Sequence, residues 1–107
     1  SDLAELNSDS LSVKVQIKNN WESEGKSFYQ YDLTIENTSD SNCDRWEIDL
    51  PFNGDFALAD GWNGEYSVNG STLHITCKDY NGSIAAGESA KDIGFIVSGK
   101  KDLSVVE

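Results

Sequence analysis

Hydrophobic and polar residues alternate with period two along most of this chain. Val13, Val15 and Ile17 are interleaved with Lys14, Gln16 and Lys18, and Tyr29, Tyr31, Leu33 and Ile35 with Gln30, Asp32, Thr34 and Glu36. Trp46, Ile48, Leu50 and Phe52 alternate with Glu47 and Asp49; Leu73, Ile75 and Cys77 alternate with Thr72, His74 and Thr76; Ile93, Phe95 and Val97 close the pattern. Such runs predict strands with one face in a core. Residues 56–58 and 65–68 are weaker strand candidates, and 103–106 is a candidate final strand. Clusters of Asn, Asp, Gly and Ser separate the runs. They include Asn53-Gly54 and Asn69-Gly70, pairs that tolerate positive φ and so turn a hairpin. No window has helical periodicity. The expected fold is all-β: a two-sheet antiparallel sandwich, immunoglobulin-like or jelly-roll, of about eight or nine strands.

The alternation also sorts the aromatic residues. Trp46 shares its face with Ile48 and Leu50 and is expected in the core, as are Tyr29, Tyr31, Phe52 and Phe95. Trp21, Trp62 and Tyr80 belong to no alternating run. They sit in the turn-rich segments Asn19-Asn20-Trp21-Glu22, Asp60-Gly61-Trp62-Asn63-Gly64 and Asp79-Tyr80-Asn81-Gly82. Rings on loops mark binding surfaces more often than cores.

Composition fits one domain of 107 residues, and 37% hydrophobic with 25% charged content is that of a globular chain. Residues 1–10, acidic and Ser-rich, are read as a linker remnant or N-terminal extension, and 11–107 as the sandwich. The polar opening suggests a processed protein or a module cut from a longer chain. The net charge of −11 repels phosphate backbones and anionic lipid, so neither nucleic acid nor membrane is an expected partner. Cys43 and Cys77 could form one disulfide, with two free thiols an equal alternative.

Catalytic chemistry finds little purchase. The one histidine, His74, falls on the outward face of its run, and no nucleophile motif is present. A pair of carboxylates suited to glycoside hydrolysis could arise among 19 acids by chance, but a small sandwich lacks the cleft that desolvates one of them. Asp40-Ser41-Asn42-Cys43-Asp44 begins like a calcium loop. It then places Arg45 where glycine is needed and Pro51 where the closing glutamate belongs, so no metal and no cofactor is expected. The Asn-x-Ser triplets at Asn37, Asn69 and Asn81 are frequent by chance in so Asn- and Ser-rich a chain.

What remains is the aromatic set. A sugar ring carries C–H groups on its faces and hydroxyls on its rim. An indole or phenol face packs against the former and leaves the latter to amides. Asn19, Asn20, Asn63 and Asn81 stand beside the three rings.

The order of these features resembles a family 2 carbohydrate-binding module, the bacterial cellulose-binding type, over about residues 11–99. The most specific stretch is Tyr80-Asn-Gly-Ser-Ile-Ala-Ala-Gly-Glu-Ser-Ala-Lys-Asp-Ile-Gly-Phe95. Thr34-Ile-Glu-Asn-Thr-Ser39, Trp46-Glu-Ile-Asp-Leu-Pro-Phe52, Asn20-Trp21 and Gly61-Trp62-Asn63 are also similar. The resemblance implies a planar strip of Trp21, Trp62 and Tyr80, with Trp46 buried and Asn19 and Asp60 as polar positions beside the strip. Three departures stand out. Tyr80 replaces the usual tryptophan, the segment from Trp21 to Asn37 is longer than typical, and Cys43 and Cys77 do not match the family's terminal cysteines.

The expected function is therefore non-catalytic binding of cellulose or a related β-1,4-glucan. The chain would act as a monomeric, extracellular or cell-surface module that holds an attached protein at insoluble substrate. Xylan is a variant of this reading, since a related subgroup turns its rings against each other. A cell-surface protein-interaction or spacer domain is the alternative from another class, with the rings anchoring a protein.

Overall fold

The longest ladder is a hairpin of β2 (Leu11–Ser23) and β3 (Lys26–Asn37), joined by Glu24 and Gly25 at φ 51° and 78°. A two-residue loop with both φ positive matches the twist of the flanking strands, and Gly25 meets that demand without steric cost. The computed structural model describes residues 3–107. The other strands are β1 (Leu3–Asn7), β4 (Glu47–Pro51), β5 (Phe56–Trp62), β6 (Glu65–Asn69), β7 (Thr72–Thr76) and β8 (Ser89–Gly99). They form two antiparallel sheets, β1-β2-β3-β8-β5 and β4-β7-β6. This is the expected all-β sandwich, with eight strands among the described residues.

Residues 3–7, inside the segment set apart as a linker remnant or extension, form β1, pairing with β2 from Leu3↔Gln16 to Asn7↔Ser12. The candidate strand at 103–106 is reduced to a single bridge, Phe52↔Val105.

β3 supplies the middle of the core. Its odd positions Tyr29, Tyr31, Leu33 and Ile35 are buried against Val13, Val15, Phe95 and Val97 of the same sheet and Leu50, Leu73 and Ile75 of the other. Trp46 is 1% exposed, as the alternation predicts, and its Nε1–H donates to the Asn81 carbonyl at 2.8 Å. Cys43 and Cys77 are half-buried free thiols.

Asn37 ends the inward row of β3 and is fully buried. Its Nδ2 donates to the carbonyls of Ser41 (2.8 Å) and Ile84 (2.9 Å), while its Oδ1 accepts from the Ser39 amide (3.0 Å) and hydroxyl (2.7 Å). The side chain thereby ties both loops that close this end of the sandwich. Its burial also keeps the side-chain amide of that Asn-Thr-Ser triplet away from solvent. Asn37→Ala takes one of two donors from each carbonyl, which leaves the Cys43 amide on Ile84 and the Ser39 hydroxyl on Ser41, and it removes the acceptor of the Ser39 amide. The loss costs about 1–3 kcal/mol. For a domain of this size the loss lowers the melting temperature by roughly 4–8 °C per kcal/mol, read by calorimetry.

Candidate functional site

Two bulges decide which aromatics reach the surface. In β2, Val13, Val15 and Ile17 face the core. Lys18 is then an extra residue, because Ile17 pairs with Tyr31 and Asn19 with Gln30. The insertion reverses the side-chain phase, so Asn19 and Trp21 face outward. In β5 the shift lies between Leu58↔Val97 and Asp60↔Ile96, with Ala59 extra. Phe56 and Leu58 pack on the core, whereas Asp60 and Trp62 face outward. Trp21 and Trp62 thus share the outer face of the five-stranded sheet.

The register lays that face out in rows. One row is Trp62, Gly94, Asp32 and Gln16; the next is Asp60, Ile96, Gln30 and Asn19; the third is Ala57, Ser98, Phe28 and Trp21. From the first row to the third is about 13 Å along the strands, and from β5 to β2 about 14 Å across them, at ~3.3 Å per residue and ~4.8 Å per strand. Trp21 and Trp62 therefore stand at opposite corners of a patch whose middle is Asp60, Gln30 and Asn19.

Trp21 is not on a turn, as its neighbours Asn19 and Asn20 suggest, but inside β2, opposite Phe28. The asparagines occupy a strand because the chain reverses later, at Glu24-Gly25. Asn20 pairs with Tyr29, an inward position, and so lies on the face opposite Trp21. The Trp21 and Phe28 rings are parallel within 2°, their centroids 5.5 Å apart. Phe28 was not expected at this site. Its signal in the sequence is an apolar residue out of phase with the core tyrosines 29 and 31.

Trp62 is half-buried because its indole lies across Gly94 of β8. A Cβ on Gly94 would fall 2.4 Å from Cζ2 and 2.6 Å from Cε2 of the ring. The absence of a side chain there lets the indole pack directly against the sheet. From beneath, the Tyr66 hydroxyl of β6 reaches the carbonyls of Trp62 (2.9 Å) and Gly94 (2.6 Å), its one proton shared between two acceptors. Burial pushes the Tyr66 phenol well above its ordinary value, so the group keeps that proton throughout the working pH range.

Tyr80 does lie on a turn, between β7 and β8, and is 71% exposed. A relay of amides holds it. Tyr80 Oη donates to Asn63 Oδ1 (2.6 Å), Asn63 Nδ2 to the Asp92 carbonyl (2.6 Å), and Asn81 Nδ2 to the Asn63 carbonyl (2.7 Å). Asn81 Oδ1 accepts from the Lys78 amide at 2.8 Å. The structure thus brings Tyr80 beside Trp62, at the end of β5 away from Trp21. The amides of Asn63 and Asn81 are engaged within the protein rather than presented outward. Asp60 Oδ1 accepts from the Gly61 amide at 2.8 Å, leaving its second oxygen toward solvent, and Asn19 is exposed beside Gln30.

His74 lies on the outer face of the other sheet, its Nδ1 2.6 Å from Asp49 Oδ1, remote from the rings. Among the described residues no group of three or more His, Cys, Asp or Glu is arranged to hold a metal ion.

Gly94→Ala is expected to lift the indole off the sheet. Loss of its contact surface would appear as red-shifted tryptophan emission and easier quenching by acrylamide, with the β signal in circular dichroism unchanged. Tyr66→Phe removes the shared proton and is expected to cost about 1–3 kcal/mol in chemical denaturation.

Comparison with known proteins adds to this geometry. Residues 11–106 match the family described as "Cellulose binding domain". The chain is 30% identical over 76 residues to Endoglucanase A of Thermobispora bispora, an alignment covering 71% of this chain and 16% of that protein. Among solved structures, the chitin-binding domain of Chi18aC from Streptomyces coelicolor superposes with a TM-score of 0.68 at 20% identity, covering 89% of this chain and 86% of that one. Chitinase ChiA74 from Bacillus thuringiensis gives 0.67 at 21% identity, over 88% of this chain and 15% of the enzyme. At such identities these two structures speak for the fold alone.

Proposed function

This chain belongs to the cellulose binding domain family, and we propose that the outer face of its five-stranded sheet is where it meets polysaccharide. The function is non-catalytic binding, and the ligand this face fits best is the flat surface of a β-1,4-glucan such as cellulose. The observation that carries this reading is the indole of Trp62 packed over Gly94 on the outer face, with Trp21 turned onto the same face by its bulge. A sugar ring set down on such a platform buries its axial C–H groups against the ring, while its hydroxyls reach sideways. Asp60, Gln30 and Asn19, in the row between the tryptophans, stand where those hydroxyls would be met.

Tyr80 extends the platform beyond Trp62, its hydroxyl fixed by Asn63. Asn63 and Asn81 then act by holding Tyr80 in place, and Phe28 by backing Trp21. The matched segment spans only 16% of its endoglucanase relative, which suits a module that keeps an attached, secreted protein at an insoluble substrate. The benefit is local concentration. Working outside the cell or at its surface, as one copy per parent chain, follows from that role.

By analogy with base stacking, each ring contributes ~1–3 kcal/mol. Trp62→Ala and Tyr80→Ala are each expected to reduce retention on insoluble cellulose by about tenfold. The melting temperature should change little in Tyr80→Ala. Running cellulose, chitin and xylan side by side ranks the ligands. Wild-type retention on none of the three, or unchanged retention in both variants, overturns the proposal in favour of a protein-interaction or spacer domain.

A further inference from the structure

The β2–β3 hairpin has a second face. Among the described residues β1 pairs with β2 as far as Gln16, and the hairpin runs on to Ser23 and Lys26. In this overhang the bulge that turns Trp21 outward turns Asn20 and Glu22 to the inner side, where their partners are Tyr29 and Ser27. No strand of the smaller sheet pairs with this inner side, and the segment 101–104 stands across from it. Between them lies an open groove of about 670 Å³, within the ~300–1,000 Å³ usual for small-ligand sites.

Its lining divides by chemistry. Tyr29 and Leu103 make an apolar floor, and the Tyr29 hydroxyl is turned away to donate to the Lys100 carbonyl at 3.0 Å. Around the floor stand Asn20, Glu22, Ser27 and Asp102. Ser27 Oγ donates to one Glu22 oxygen at 3.4 Å, which leaves the other to accept. No hydrogen bond within the described protein occupies the Asn20 side-chain amide. Asp102 is held at φ 67°. Amide, hydroxyl and carboxylate groups around an apolar floor are what a pyranose requires: acceptors and donors for its rim, a nonpolar surface for its C–H face. Two carboxylates against the one lysine in the wall, Lys101, and a net charge of −11 disfavour anionic ligands.

We propose that this groove is a second carbohydrate site, which takes a single, neutral, soluble glycan chain from the side, independently of the flat face. The inference rests on the polysaccharide-binding reading above and adds a site of different shape. The outer face is open and suits many chains lying in a sheet. The groove has walls and suits one chain. The hairpin arm stands between them: Trp21 and Phe28 belong to the outer face and also border the groove, while Asn20 and Glu22 turn to the groove side.

The test uses the 107-residue chain, cellohexaose and insoluble cellulose. In amide proton–nitrogen spectra, cellohexaose is expected to shift Asn20, Glu22, Ser27 and residues 101–104. Asn20→Ala combined with Glu22→Ala should weaken cellohexaose at least tenfold by calorimetry, while retention on insoluble cellulose stays within twofold. Trp62→Ala should do the reverse and leave the groove shifts in place. Shifts confined to the outer face, or full affinity in the double variant, overturn the groove while the flat face stands. So does retention on cellulose with no cellohexaose binding at all. Failure to bind either ligand overturns the polysaccharide reading and the groove with it.

Discussion

The exposed platform depends on two inserted residues. Strand side chains alternate, so one extra residue inverts everything beyond it. Lys18 and Ala59 perform that inversion at matching places, each just past the last core residue of its strand, Ile17 and Leu58. Before the bulge each strand serves the interior, and beyond it the same strand serves the surface. Without the inversions, Trp21 and Trp62 would keep the inward parity of Ile17 and Leu58 and press into the core. The aromatic face is therefore a property of strand register, and it is as rigid as the ladders that set that register.

The rest of the platform is built by using polar groups internally. The amides of Asn63 and Asn81 link the turn after Trp62, the Tyr80 turn and the Asp92 carbonyl, and the Asn81 carbonyl receives the indole N–H of buried Trp46. The most exposed ring is thus connected to the centre of the core through two side chains. Tyr66 does the same for Trp62 from the other sheet. Ordering these groups before the ligand arrives lowers the entropy lost on binding.

Much of this was legible in the sequence. The period-two runs located most of the strands, the inward parity of Trp46, Tyr29 and Tyr31, and the turn that carries Tyr80. Those signals are local, and local chemistry enforces them. Bulges are not local, since an extra residue exists only relative to a partner strand. Asn19-Asn20 therefore read as a turn although the chain continues straight through it to Glu24-Gly25. Phe28 was hidden for a related reason, because its parity matters only once Trp21 is known to lie opposite. Asn63 and Asn81 looked available for ligand because a sequence shows an amide's presence and not its partners. The strand at Leu3–Asn7 carries only two large apolar residues, Leu3 and Leu6, too few to announce itself before β2 provides an edge to pair with.

The three rings are anchored by unlike means, and this bears on how the face loosens with warming. Trp21 and Trp62 ride on interstrand ladders, whose opening is tied to cooperative loss of the sheet. Tyr80 hangs from a turn closed by a backbone contact of 3.4 Å and a few side-chain amides. Short turns of that kind open at far lower free energy than paired strands. On heating, the contact proposed for these rings would then be shed in order, phenol first and indoles with the fold, leaving the module hinged on its tryptophans before it lets go.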